Sequence, residues 1–226
     1  MNRISAKIGF WSALAMLVTF MIWIVSFVGI SATSPLFFWT DLDHYLEYYR
    51  SNNQFFQNLA KSAMFIFGPI YLLLINSFHD LNSTSERRTL SRLGLLFGLA
   101  FAMLSCAHYF VQLSSVRINL NRAVTSGMEY FLQANPLSVM TSIDMLGWTF
   151  FFGLSTFFIA LSLEVKSRQG KWIRTGFLLN ATSCFLAMVG YLFQIDLLTF
   201  IGVNLVVGGA MIIVSYASAK FFHQLR

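Results

Sequence analysis

The chain has 226 residues, 57% of them hydrophobic and only 11% charged, with a formal net charge of +6. Soluble domains are about a quarter charged, so this composition excludes an ordinary soluble enzyme or binding domain and points to a chain that lies in lipid. The basic balance does not imply nucleic acid, because the cations sit where membrane topology places them.

Six apolar segments follow one another, at 8–30, 62–78, 93–113, 136–163, 173–193 and 197–217. Most reach the roughly 20 residues that cross about 30 Å of hydrocarbon, and 62–78 is the short one. The expected fold is all-α, a single integral membrane domain over 1–226 built as a polytopic bundle of six transmembrane helices. With the N-terminus inside, the inner flanks hold Arg3, Lys7, Arg87, Arg88, Arg92, Lys166, Arg168, Lys171, Arg174, Lys220 and Arg226. The outer flanks hold Arg50, Lys61, Arg117 and Arg122. Eleven cations against four predicts both termini inside, since basic residues collect in cytoplasmic loops. Asp41, Asp43, Glu47, Glu129, Asp144 and Asp196 lie on the outer side.

In chain order, Met1–Lys7 precedes an apolar run too long for a secretory signal, and residues 30–32 make a poor cleavage site. A retained first span is expected, with Trp11 as an interfacial anchor. In the loop that follows, Thr40 reads as a helix N-cap with Asp43 in the first turn. Leu42, Tyr45, Leu46 and Tyr49 then recur at helical spacing opposite Asp41, His44, Glu47 and Tyr48. This predicts a short amphipathic outer helix between spans 1 and 2. It would lie in the headgroup layer, or form a lid over an outward cavity.

Gly68-Pro69 in the second span predicts a kink or break. In the third, Gly94, Gly98 and Ala102 form a small-residue stripe for close helix contact. Ser105, His108 and Gln112 return to the same face. Ser126-x-x-Glu129 reads as a capping box opening a short helix. The fourth span is expected to start with Asn135 as N-cap and Pro136 at the first helical position. It carries Asp144 near the outer boundary, on one face with Ser155 and Ser162. An acid there is costly and marks a candidate functional site.

The run Asn135-Pro136-Leu137-Ser138 leading into Leu146-Gly147-Trp148-Thr149-Phe150-Phe151-Phe152-Gly153-Leu154 resembles a pattern in six-span prokaryotic integral membrane proteins of unassigned function. The resemblance covers little more than one span and brings no activity or site residues. It implies a prokaryotic cytoplasmic membrane.

The fifth span carries a small or polar stripe of Gly176, Asn180, Ser183, Ala187, Gly190 and Gln194. The sixth carries Asn204, Gly208, Met211, Ser215 and Ser218, with Asp196 in the turn between the two. Cys106 and Cys184 fall inside spans and read as packing residues rather than a disulfide.

His108 and Asp144 come to similar depth, with Asn204 and Asn180 as further polar groups able to orient a ligand. Asp41, Asp43, His44, Glu47 and Asp196 make an outer-side polar cluster. His and carboxylates suit acid–base work, a proton relay or metal ligation. No spacing diagnostic of a hydrolase, nucleotide or zinc site occurs. No metal or cofactor is expected, and the reading leans away from catalysis. The leading expectation is a membrane protein that binds, senses or moves a small or lipid-like molecule through an outward-facing polar cavity. The alternatives are a membrane-embedded enzyme with an outer His/carboxylate site and a structural subunit packed against partner spans.

Overall fold

A computed structural model describes residues 3–35 and 37–226, so the first two residues of the Met1–Lys7 flank and Leu36 lie outside the description. Among the described residues every regular element is helical, without strands. We label the helices α1 (Arg3–Thr33), α2 (Leu42–Ser51), α3 (Phe55–His79), α4 (Ser85–Asn121), α5 (Val139–Ser162), α6 (Arg168–Leu192) and α7 (Asp196–His223). All but α2 are long and apolar enough to cross a membrane, so the chain is an integral, multi-pass membrane protein.

The long helices form a closed ring in chain order. Each packs on its neighbour, α1 on α3 through to α6 on α7, and α7 returns to α1. Both ends of the chain therefore share one end of the bundle, where the guanidinium of Arg226 lies 3.8 Å over the Phe10 ring. Close approach needs small residues at the seams. A Cβ on Gly94 would meet Ile159 at 2.7 Å, and one on Gly176 would meet Val214 at 2.7 Å. Gly94, Gly98, Ala102, Ser105, His108 and Gln112 are all buried, as one helical face should be.

Aromatic rings fill the centre of the ring of helices. Phe67 stacks on Trp148 at 5.5 Å, Phe101 on Phe152 at 4.5 Å, and Tyr71 meets Phe152 edge-on at 4.9 Å. The Tyr71 hydroxyl in this plug is matched by Ser155 Oγ at 2.7 Å, and Ser155 in turn donates to the Gly94 carbonyl at 2.7 Å. Ser155→Ala is expected to strand the buried phenol and destabilise the fold by about 1–3 kcal/mol, measured by reversible unfolding in mixed micelles.

Several local expectations are corrected. α3 runs through Pro69 without a break. Proline removes the hydrogen bond to the carbonyl four residues earlier, and the Cys106 thiol donates to that carbonyl, Phe65 O, at 3.4 Å. Both cysteines are free. α3 also begins at Phe55 rather than at residue 62, which places Lys61 inside the helix instead of on its flank. α5 begins at Val139, not at Pro136. Ser138 Oγ caps Thr141 N at 3.0 Å, while Asn135 Oδ1 accepts from Leu137 N in a turn of its own. Ser126 caps nothing: Gly127 takes a left-handed φ of 73° and leads into a single 3-10 turn, Met128–Tyr130. In the α6 stripe Gln194 is exposed, with a positive φ of 56°.

In α2 the N-cap is Asp41 rather than Thr40, because the Asp41 carboxylate accepts from His44 N at 2.8 Å. Tyr45 and Leu46 bury against Val116, Leu120, Met128 and Leu132. The apolar face of α2 is thus covered by protein, not by lipid headgroups. The backbone N–H of His44 holds the Asp41 carboxyl below its ordinary value of 3.8. A depressed acid stabilises the helix above that ordinary value, and the benefit is lost as pH falls through the lower folded value. The protection of first-turn amides in α2, after division by their intrinsic exchange rates, is therefore expected to fall at acid pH, and in Asp41→Ala to be low and nearly independent of pH.

Candidate functional site

At the end of the bundle that carries α2, the aromatic plug stops and the interior opens. A cavity of about 250 Å3 is lined by Phe20, Trp23, Tyr109, Gln133, Thr141, Asp144, Trp148, Thr199, Asn204 and Gly208, among others. A second of about 240 Å3 is lined by Tyr45, Gln57 and Lys61, and shares Trp23, Met64, Tyr109 and Gln133 with the first. The shared residues make them adjoining lobes. Each exceeds the roughly 150 Å3 that admits a benzene ring.

Backbone irregularity shapes this end. α4, α5 and α7 each contain a π-helical turn, at Gln112–Val116, Leu146–Phe151 and Ile201–Val206. Such turns shift the helical face by a residue and cluster at functional sites. Here two of them carry Trp148 and Asn204 into the cavity wall. The third begins at Gln112, whose Nε2 donates to Phe131 O at 2.5 Å and whose Oε1 accepts from Gln133 N at 3.4 Å. That clamp sets Gln133 between the lobes. Gly208 completes the wall: it is buried, yet a Cβ built on it meets nothing within 4 Å.

Asp144 is 5% exposed and His108 fully buried. His108 Nδ1 lies 3.0 Å from the Met140 carbonyl. A carbonyl only accepts, so Nδ1 carries the proton and Nε2 of the neutral ring is a bare acceptor. Nε2 faces Asp144 Oδ2 at 3.7 Å, outside hydrogen-bond reach, and has no other partner. Two acceptors confront each other unless the pair holds a proton. Asp144 Oδ1 and Trp148 Nε1 also make no hydrogen bond of full geometry, although the indole interacts with the carboxyl. Buried polar atoms are normally satisfied, so this knot of orphans at a cavity wall is the least explained chemistry in the molecule.

Lys61 is the second cluster of unmet charge. Its ammonium makes no hydrogen bond or ion pair among the described residues, and it lines the second lobe. Beside it the Tyr45 phenol is pushed above its ordinary range by burial and stays a neutral hydroxyl.

The other residues singled out in the sequence lie elsewhere or are spent locally. Asn180 lines neither lobe; its amide donates to Thr156 Oγ1 at 3.0 Å across the α5–α6 seam. Asn204 lines the first lobe while its Nδ2 donates to Phe200 O on its own helix at 3.2 Å. Asp41, Asp43, His44 and Glu47 are exposed on the outer face of α2, and Asp196 is exposed at the start of α7. They do not join His108 and Asp144: among the described residues no three His, Cys, Asp or Glu side chains gather closely enough to hold a metal.

Lys61, Gln133, Tyr109 and the tryptophans are not marked as site residues by sequence pattern. The one signal concerns Lys61: the short second segment reaches full length only if the helix starts earlier and takes Lys61 in. Compared with family models, curated proteins and solved structures, the chain matches none of them, so the site stands on its own geometry.

Proposed function

We propose that this chain is a non-enzymatic membrane protein that holds a small or lipid-like molecule in a cavity opening to the outer side. Both termini would face inward, in a prokaryotic cytoplasmic membrane. The eleven cations at the end of the bundle that carries the termini, against four at the end with α2, support that orientation. The six-span resemblance supports the choice of membrane. α2 would then cover the outer mouth of the recess, with Tyr45 reaching the second lobe.

The observation that carries the reading is a wall built around empty space. Interiors of this kind normally fill to close packing, and here a buried glycine faces void in a lobe walled by Asp144 and Trp148, while Lys61 lines the adjoining lobe. Ligand sites combine apolar and aromatic lining with a few convergent polar groups in this way.

Filling the void tests the reading. Gly208→Phe is expected to leave the unfolding midpoint unchanged or slightly raised, because its ring enters open space. It should abolish any thermal shift produced by small molecules or lipids that bind the unsubstituted protein. A Gly208→Phe protein that keeps those shifts would show that the ligand sits elsewhere.

A further inference from the structure

The geometry points to a zwitterion as the occupant, with its ammonium at Asp144 in one lobe and its acidic group at Lys61 in the adjoining one. This inference rests on the cavity reading above and specifies its ligand.

The two charged walls ask for different things. Asp144 is nine-tenths buried or more, lines the first lobe, and leaves Oδ1 without a hydrogen bond of full geometry. His108 Nε2 stays 3.7 Å away and in the neutral ring has no proton to offer, and the neutral Trp148 indole N–H brings no countercharge. A ligand ammonium has several N–H donors and would meet the carboxylate directly. Lys61 brings three donors to the second lobe and finds no acceptor among the described residues. A carboxylate or phosphate would complete it. The buried Asp144 is tolerated best when paired and hydrogen-bonded, Lys61 is half-buried, and a partner for each is present on one end of such a molecule.

Net charge argues the same way. A cation alone would satisfy Asp144 and add to the positive field of Lys61; an anion alone would do the reverse. A zwitterion enters as a neutral species and pairs both. The seam between the lobes, Trp23, Met64 and Tyr109, offers apolar and aromatic surface for the body of the ligand, while Gln133 supplies an amide to its polar part. This chemistry is shared by free amino acids and by ethanolamine phosphate headgroups of lipids.

Calorimetric titration of the purified full chain in maltoside micelles separates the cases. The probes are leucine, leucine methyl ester (cation only), N-acetyl-leucine (anion only) and glycerophosphoethanolamine. At least one zwitterion should bind tenfold or more tightly than the singly charged leucine derivatives, and whichever of the two binds identifies the source as amino acid or headgroup. Asp144→Asn should erase the advantage of leucine over N-acetyl-leucine, and Lys61→Gln its advantage over the methyl ester. If the headgroup is the ligand, each variant should weaken glycerophosphoethanolamine at least tenfold. Should one variant fail to fold, the other still decides its own half.

Equal binding of a singly charged probe, variants that bind the zwitterion unchanged, or no zwitterion binding at all would overturn the inference. The cavity reading fails separately. If probes bind without a zwitterion preference and Gly208→Phe abolishes that binding, only the ligand class is wrong. If Gly208→Phe binds as before, the cavity itself is the wrong place.

Discussion

Asp144→Asn is expected to raise stability while removing the response to a cationic group. The substitution keeps shape and volume but replaces an acceptor with a donor. The new Nδ2 faces His108 Nε2, which has no partner in the unsubstituted protein; a small side-chain shift that closes the 3.7 Å gap turns an acceptor–acceptor confrontation into a hydrogen bond. Relief of one buried unsatisfied group contributes about 1–2 kcal/mol. A carboxylate that served only to hold His108 in a salt bridge would behave oppositely, since removing one partner of a buried pair costs about 3–5 kcal/mol. Thermal unfolding followed by tryptophan fluorescence, with and without a bound probe, distinguishes the two by sign. A fall in stability with ligand response intact would make Asp144 a structural residue.

The second large effect is expected far from the cavity, at the seam of α3, α4 and α5. A Cβ on Gly98 would lie 2.6 Å from Ile75 Cδ1, 2.9 Å from Ser155 Oγ and 3.3 Å from Tyr71 Cε1. The isoleucine methyl can turn away. Ser155 cannot, because its hydroxyl is tied to both Tyr71 and the Gly94 carbonyl. Gly98→Val should therefore force the helices apart and break these bonds, at a cost of about 3 kcal/mol or more. Gly209→Val is the control. Gly209 is exposed and its Cβ meets nothing within 4 Å, so its unfolding midpoint should stay within the spread of repeat measurements. Equal effects at both positions would mean that the stripe on α4 does not act through close packing.

Both effects trace to residues that stand out in the amino-acid sequence, but with different completeness. Gly98 can be read from spacing alone, because a helical stripe of small residues has one main physical use in a membrane, close approach of helices. Asp144 can be flagged by the cost of its charge in a hydrophobic stretch. What it faces cannot be read, since that depends on which neighbours the ring closure brings. Asn180 and Asn204 make the same point as a pair. Both are amides on polar stripes, yet one bonds across a filled seam while the other borders a cavity.

Element boundaries are hardest to read where short side chains compete for the same backbone donors. Thr40 and Asp41 both qualify as caps, as do Asn135 and Ser138. The cap in each case is the side chain that reaches a free N–H in the first turn of its helix. At Asn135 the consequence reaches the candidate site, because a later start brings Asp144 closer to the end of α5. Lys61 reads as a flanking cation because charge usually marks the end of a span. The extra turns of α3 instead carry it into the wall of the recess.

By itself, then, the sequence determined that this is a multi-pass membrane protein with six long apolar helices. Span length and charge scarcity follow from bilayer thickness and the cost of burying polar groups, which act on each segment alone. The tertiary structure decided where the interior is filled and where it is hollow. A plug of rings at Phe67, Tyr71, Phe101 and Phe152, a void beside Gly208, and two opposite charges on adjoining walls come from several helices at once. No single periodicity records how helices distant in the chain share a space.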